Sequence, residues 1–141
     1  MSSKDLVVDT MVFAYGLLGV EGYRDDSLDV LRKSESIIAP DSLRAELVNV
    51  VWQWVGSTSV AVQTGVEILI DADRLVSAFV PADVIWERAL ELAVAHDHPA
   101  YDTLFVALAE LADARLVTYD QQLLRSFPER AITPSDLLAG G

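Results

Sequence analysis

Four acidic side chains of this 141-residue sequence stand in apolar or turn-like stretches, where a carboxylate is costly to desolvate unless it is paired or binds a cation. Asp9, Asp102 and Asp120 each stand where an apolar run gives way to a helix start, and Glu46 lies inside a helical pattern. Four carboxylates that converge at one edge of a sheet would form an all-oxygen site that favours Mg²⁺ or Mn²⁺ over Zn²⁺. A bound divalent cation lowers the pKa of a coordinated water from ~15.7 toward ~7, so the pattern predicts metal-dependent phosphodiester hydrolysis.

The elements that must position these carboxylates alternate along the chain. Short β-rich runs are predicted at residues 6–8, 36–39, 76–80, 116–118 and 131–133, and helices at residues 11–18, 25–33, 41–55, 59–72, 82–95, 101–114, 121–126 and 134–138. Strands separated by helices indicate a parallel sheet covered on both faces. We therefore predict one three-layer α/β/α domain over residues 1–141 with about five strands.

The order of the acids relative to the strands favours a shared site. Asp9 and Asp120 directly follow predicted strands, and ligands of open parallel sheets bind beyond the carboxyl ends of strands where the strand order reverses. Asp102 lies in the first turn of a largely apolar helix, and Glu46 borders the apolar stripe of its own helix. Taken singly, each carboxylate is at least as well explained by an ordinary role, as a helix cap for the three aspartates and as a solvated helix residue for Glu46.

Composition excludes several classes of protein. The sequence contains no cysteine, which removes disulfides, zinc ribbons and thiol catalysis together. Its apolar runs are far shorter than the roughly 18 residues that a membrane span requires. The first ten residues, MSSKDLVVDT, lack the basic and apolar regions of a secretory signal. We therefore expect a cytoplasmic protein that does not associate with membranes.

The net charge of −12 needs its own explanation, because proteins that bind a phosphate backbone usually carry a basic patch. Lys4 and Lys33 are the only lysines of the sequence. The acidity either excludes nucleic acid as a substrate or reflects adaptation to high salt in a halophilic source. Depletion of lysine rather than of arginine favours the second explanation, which predicts unfolding at higher temperature in molar salt.

Four segments in this order resemble the PIN domain family, and within it the small single-domain toxins of the VapC type. The segments are LVVDT with Asp9, APDSLRAELVNVVW with Glu46, PAYDTLFVALAE with Asp102 and ARLVTYDQQLL with Asp120. The resemblance covers essentially the whole chain and implies an endoribonuclease that cuts RNA with Mg²⁺ or Mn²⁺. It also implies a small antitoxin protein as a partner and a homodimer as the assembly.

On this resemblance we assign Asp9 and Asp102 as direct metal ligands, and Asp120 and Glu46 as ligands or as groups that orient water. All four are treated as catalytic. The supporting polar residues are Thr10, Asn49 and Thr118. Thr118 stands two residues before Asp120, where its hydroxyl could donate a hydrogen bond to a carboxylate or a phosphate.

Other residues carry weaker signals. Arg44 and Arg115 are candidates for phosphate contact, although an exposed arginine in a salt bridge is the commoner interpretation of each. His96 and His98 are predicted to lie in a solvated loop before Pro99, because their spacing lacks a third ligand.

A second function stays open. Met11 occupies a position, two residues after Asp9, where the family commonly has serine or asparagine. Together with the low basic charge, Met11 is compatible with a PIN-fold protein that has weak or no nuclease activity and acts as a metal-binding regulatory or interaction module.

Overall fold

A computed structural model of the chain describes residues 4–140. The strands are β1 (Asp5–Val8), β2 (Ser36–Pro40), β3 (Ala78–Val80), β4 (Arg115–Val117) and β5 (Ala131–Ile132). The helices are α1 (Thr10–Leu17), α2 (Arg24–Lys33), α3 (Ser42–Ser57), α4 (Val62–Leu75), α5 (Ala82–His96), α6 (Ala100–Ala112), α7 (Gln121–Ser126) and α8 (Pro134–Leu138). The predicted order of elements is confirmed, and the boundaries differ from the prediction by at most about three residues, as is usual for helix and strand ends.

All five strands are parallel and lie in the order β3-β2-β1-β4-β5. The chain builds outward from β1 through β2 to β3, and it then returns to place β4 on the other side of β1. The strand order therefore reverses between β1 and β4, and the crevice beyond their carboxyl ends is the expected ligand position. Val8 pairs with Val117 in register, so the residues that follow these strands, Asp9 and Thr118, come side by side.

Helix α6 covers the centre of the sheet, where it contacts β1, β2 and β4. Residues Phe105 to Ala109 are all buried, as the apolar circumference of this helix predicts, although Leu111 is 62% exposed. A fully buried phenylalanine such as Phe105 contributes ~2 to 3 kcal/mol through removal of apolar surface from water. This packing determines where the first turn of α6, and hence Asp102, lies relative to β1 and β4.

The turn between α5 and α6 is defined by backbone geometry and one buried hydroxyl. Asp97 ends α5 in the left-handed conformation at φ 50°, and the next residue, His98, donates its backbone N–H to the Ala93 carbonyl at 3.1 Å. Thr103, which is fully buried, donates its hydroxyl to the Ala89 carbonyl at 2.8 Å. These contacts link the start of α6 to α5. Within residues 4–140, no helix is both long enough and apolar enough to cross a membrane.

Candidate metal centre

Asp9 stands at the junction of β1 and α1, with its carboxylate bonded at both oxygens. It caps α1 from an extended backbone conformation, because Thr10 N–H donates to Oδ1 at 2.8 Å. The Thr118 hydroxyl donates to Oδ2 at 2.7 Å, so the bond to a carboxylate expected of Thr118 is present. Only 8% of Asp9 is exposed, and its own N–H donates to the Val117 carbonyl at 2.9 Å. The orientation of this carboxylate is thus determined by the first residue of α1 and by Thr118, which follows β4.

Thr118 also connects Asp9 to Asp120. Its fully buried hydroxyl accepts the Asp120 N–H at 3.0 Å while it donates to Asp9. Asp120 itself caps α7, where its Oδ1 accepts the Leu123 N–H at 2.9 Å. The cap interpretation is therefore correct for Asp9 and Asp120, and it is compatible with a shared site because each carboxylate oxygen can accept more than the one bond found for it.

Asp102 is the third residue of α6 and interacts with a histidine. His98 Nε2 lies 2.9 Å from Asp102 Oδ2, and only 5% of His98 is exposed. His98, Asp102 and Asp120 each offer one ligand atom, and these three atoms lie within 4.8 Å of one another. The predicted solvated position is wrong for His98, because the left-handed turn at Asp97 directs the ring inward. His96 remains exposed at the end of α5, where its ring contacts the tilted ring of Phe127 with 4.4 Å between the centroids.

Glu46 approaches the same place from the second turn of α3. Burial raises the pKa of its carboxyl to about 7, and the charges of Asp9 and Asp102 add to this effect. The nearby hydroxyls of Ser42 and Thr10 oppose part of the rise, but neither forms a hydrogen bond of normal geometry with Glu46. Among residues 4–140, Glu46 Oε2, Ser42 Oγ and Thr10 Oγ1 are buried without a hydrogen-bond partner.

The carboxylates also perturb one another. Burial raises the pKa of Asp9 to about 6; the Thr118 hydrogen bond counteracts this, and the charges of Asp102 and Asp120 reinforce it. Burial likewise raises the pKa of Asp102, against the lowering effect of His98. The structure therefore brings Asp9, Glu46, Asp102 and Asp120 within electrostatic reach at the edge where the strand order reverses. Deprotonated together, these groups repel, and a cation among them would remove the repulsion.

The residues present fit a hard divalent cation. The four carboxylates supply oxygen ligands of the kind that Mg²⁺ and Mn²⁺ prefer. The buried Glu46 Oε2, which lacks a partner within residues 4–140, needs a positive charge or a donor to offset its desolvation. The site thus has both the charge and the unsatisfied oxygen that a cation would complete.

The other predicted residues lie apart from this cluster. Arg44 is directed toward α4, where its Nε donates to Asp73 Oδ1 at 2.7 Å and its guanidinium lies 3.6 Å from the centre of the Phe79 ring. Arg115 begins β4, at the opposite end of that strand from the site, and donates to the backbone carbonyl of Arg130 at 3.3 Å. The salt-bridge interpretation is therefore correct for Arg44, whereas Arg115 is half-buried and bonded to backbone.

Two further side chains near the site, those of Asn49 and Met11, differ in their exposure to solvent. Asn49 is exposed on the next turn of α3 after Glu46. Met11 is partly buried and packs against the hydrophobic core. Neither makes a hydrogen bond to the cluster among the bonds found for residues 4–140, so any role of Asn49 depends on a ligand rather than on the protein's own contacts.

Sequence reasoning missed His98, although a signal was present. His98 and Asp102 are separated by four residues, the spacing that brings side chains together on a helix. Pro99, the N-cap residue of α6, stands between them, so His98 lies outside that helix whereas Asp102 lies inside it. The contact arises because the left-handed turn at Asp97 places His98 directly before the first turn of α6, beside Asp102.

Comparison with known proteins places the chain in a family. A family model described as PIN domain matches residues 6–128, so the chain belongs to the PIN domain family. PIN domains are generally metal-dependent nucleases that bind divalent metals, and this chain has the acidic cluster for it. No curated protein matches the chain in sequence.

Two solved structures share the fold. One is the crystal structure of PAE2754 from Pyrobaculum aerophilum, with a TM-score of 0.72 and 21% identity over 96% of this chain and 88% of that chain. The other is a toxin-antitoxin complex from Klebsiella pneumoniae, with a TM-score of 0.70 and 15% identity over 92% of this chain and 97% of that chain.

Proposed function

We propose that this protein is a Mg²⁺- or Mn²⁺-dependent endoribonuclease that hydrolyses RNA phosphodiester bonds, and that it is the toxin component of a toxin-antitoxin pair. The observation that carries the proposal is the convergence of four carboxylates at the switch point of the sheet. Membership of the PIN domain family supports the nuclease assignment. The Klebsiella pneumoniae toxin-antitoxin complex, which has the same fold, supports the toxin assignment.

The chain's own residues prepare the site for the cation. Asp9 and Asp102 would hold it directly, and Asp120 and Glu46 would complete its ligands or orient water. Thr118 fixes the positions of Asp9 and Asp120 relative to each other, because its one hydroxyl bonds to both residues. Such preorganisation lowers the entropy that must be lost when substrate and ligands are aligned.

The cation supplies the chemistry that the side chains lack. When bound, it neutralises charge on the phosphate and activates water for attack on phosphorus. It would also be the largest positive charge in the crevice and would attract an RNA phosphate in spite of the net charge of −12. Glu46 Oε2, which is buried and lacks a partner within residues 4–140, would be available as a ligand or as the group that orients or deprotonates an attacking water.

Two exposed apolar faces support protein partners. One lies on α3 and α4 and includes Val48 and Ile70, and the other lies on α5 and includes Trp86 and Leu90. Exposed patches rich in aromatic and large aliphatic side chains are typical of protein interfaces. We propose a homodimer and a small antitoxin as the partners, and the strong acidity of the chain favours an antitoxin that is basic.

An RNA cleavage assay tests the activity. Purified protein is incubated with assorted RNAs at low and high salt, with Mg²⁺, Mn²⁺ or EDTA, beside the Asp9→Asn variant. Asp71→Asn removes the same charge from an exposed position of α4 and is the matched control. We expect cleavage by the wild type and the control in Mg²⁺ or Mn²⁺, and its loss in EDTA and in Asp9→Asn. Cleavage that persists in EDTA or in Asp9→Asn refutes a metal-dependent nuclease.

The same assay addresses the second function. Met11 packs against the core and offers no polar group to the site, which is the observation that favours a metal-binding interaction module. Binding of Mn²⁺ without cleavage of any RNA would support that module. Co-expression with the product of a neighbouring short basic reading frame tests the antitoxin, and light scattering of the purified protein tests the dimer.

A further inference from the structure

His98 is a buried polar side chain that the proposed mechanism does not use. Its Nε2 lies 2.9 Å from Asp102 Oδ2, and its Nδ1 is buried without a hydrogen-bond partner among residues 4–140. Its backbone is held by the bond to the Ala93 carbonyl at 3.1 Å. The ring therefore has one polar contact, and that contact is with a carboxylate assigned to the metal centre.

With Asp102 ionised, as a metal ligand must be, the contact requires a proton on Nε2. If Nε2 carried a lone pair, it would face the lone pairs of Asp102 Oδ2 at 2.9 Å, and the N–H would be on Nδ1, where it has no acceptor within the described residues. Every form of the ring that avoids this repulsion donates from Nε2 to Oδ2. The geometry therefore places a donor on Oδ2 of Asp102, whereas Oδ1 has no donor among the bonds found for residues 4–140 and is the more available oxygen for a cation.

We propose that His98 is a positioning residue that makes Asp102 a monodentate ligand and thereby biases the centre toward Mg²⁺ and Mn²⁺ and against Ca²⁺. The inference rests on the proposed function in so far as the cation binds at this cluster. Mg²⁺ requires near-octahedral coordination, whereas Ca²⁺ takes six to eight oxygens and often binds a carboxylate through both of them. A hydrogen bond to Oδ2 takes up one of the two acceptor sites of that oxygen and orients the carboxylate, which disfavours ligation through both Asp102 oxygens at once.

The packing around His98 holds its ring beside Asp102, so mutation of His98 should act on metal binding through Asp102. The bond from Thr103 to the Ala89 carbonyl at 2.8 Å joins α6 to α5 and so constrains the turn between them that carries His98. Groups that hold metal ligands typically change metal affinity by 10- to 100-fold when they are mutated. The competing arrangement is direct ligation, in which Nε2 would give up its proton and its bond to Asp102 in order to bind the cation.

Metal binding alone tests the proposal. Mn²⁺ and Ca²⁺ affinities are measured by calorimetry on the full-length wild type, His98→Leu, His98→Gln and His96→Leu. His96 is two residues away and exposed, so its variant is the matched control. We expect His98→Leu to weaken Mn²⁺ binding by ~10- to 100-fold and Ca²⁺ binding much less. His98→Gln, whose amide can still donate to Asp102, should retain most of the selectivity, and His96→Leu all of it.

Equal weakening of Mn²⁺ and Ca²⁺ in His98→Leu would overturn the proposal, because a merely structural role predicts it. Pulsed electron paramagnetic resonance of the Mn²⁺-loaded wild type gives an independent measurement. A ¹⁴N coupling that disappears in His98→Leu would mean direct ligation and would also overturn it. If the leucine variant does not fold, His98→Asn, whose shorter amide cannot span the distance to Asp102, replaces it.

The outcome is separable from that of the proposed function. Cation selectivity that depends on His98 in a protein that cuts no RNA would support this inference and overturn the nuclease. RNA cleavage by a protein whose cation selectivity does not change in His98→Leu would support the nuclease and overturn this inference. A wild type that binds no Mn²⁺ would overturn both.

Discussion

Replacement of Asp9 by asparagine should make the cation-free protein more stable at neutral pH, although Asp9 belongs to the most tightly hydrogen-bonded part of the site. Burial raises the pKa of this carboxyl from 3.8 to about 6. The folded protein therefore binds the proton more tightly than the unfolded chain does. The stability that proton binding to Asp9 contributes is fully present below pH ~3.8 and is lost as the pH rises through ~6.

The size of the effect follows from the same values. A rise in pKa from 3.8 to about 6 corresponds to ~3 kcal/mol of stability lost at high pH, of which roughly 2 kcal/mol falls between pH ~4.5 and ~7.5. The raised pKa of Glu46 likewise makes the protein less stable as the pH rises through about 7, and the charge of Asp9 contributes to that raised pKa. The asparagine side chain of the Asp9→Asn variant would remain uncharged over this whole range, and its amide can face Thr10 N–H and the Thr118 hydroxyl.

The assay is urea unfolding in EDTA, followed by the fluorescence of the three tryptophans, at several pH values from ~4.5 to ~7.5. We expect wild type to lose at least ~2 kcal/mol relative to Asp9→Asn over this range. The exposed Asp71→Asn control should run parallel to wild type, since it removes a charge without relieving burial. Parallel profiles for wild type and Asp9→Asn would refute the reasoning.

Further predictions concern the hydrogen bonds, the packing and the cation. Thr118→Val should cost ~2 to 3 kcal/mol in urea unfolding, because a buried carboxylate and a backbone N–H lose their shared partner, whereas Thr118→Ser should retain most of the stability. Gly65→Ala should cost ~1 to 3 kcal/mol, since its Cβ would lie 2.8 Å from Val51 Cγ1, and Gly56→Ala, which meets open space, should be neutral or stabilising by up to ~1 kcal/mol. Mn²⁺ at 100 times its Kd should stabilise the wild type by ~2.7 kcal/mol, seen as a rise in Tm, and Asp102→Asn should lose that rise.

The local pattern of the sequence was enough to predict the elements and their class. Alternation of short β-rich runs with longer helical patterns predicted a parallel sheet covered by helices, and the structure confirms it. Periodicity succeeds here because burial on both faces makes parallel strands continuous apolar runs, which differ clearly from amphipathic helices. The same pattern placed Asp9 and Asp120 just after strands, and therefore at one edge of the sheet.

Contacts between distant residues were decided only by the tertiary structure. The hydrogen bond between Thr118 and Asp9 joins residues 109 positions apart, and it exists because β4 lies beside β1 with Val117 opposite Val8. Strand order and register depend on how the helices pack, which no local pattern contains.

The sequence by itself determined that this protein has four carboxylates at the ends of its elements, in an order shared with PIN domains. The tertiary structure decided which of their oxygens are already bonded, which one is buried without a partner, and that His98 lies against Asp102 rather than in solvent. The physical reason is that residue type sets the chemistry a side chain can perform, whereas its pKa and its bonds depend on burial and on neighbours that only folding brings within reach.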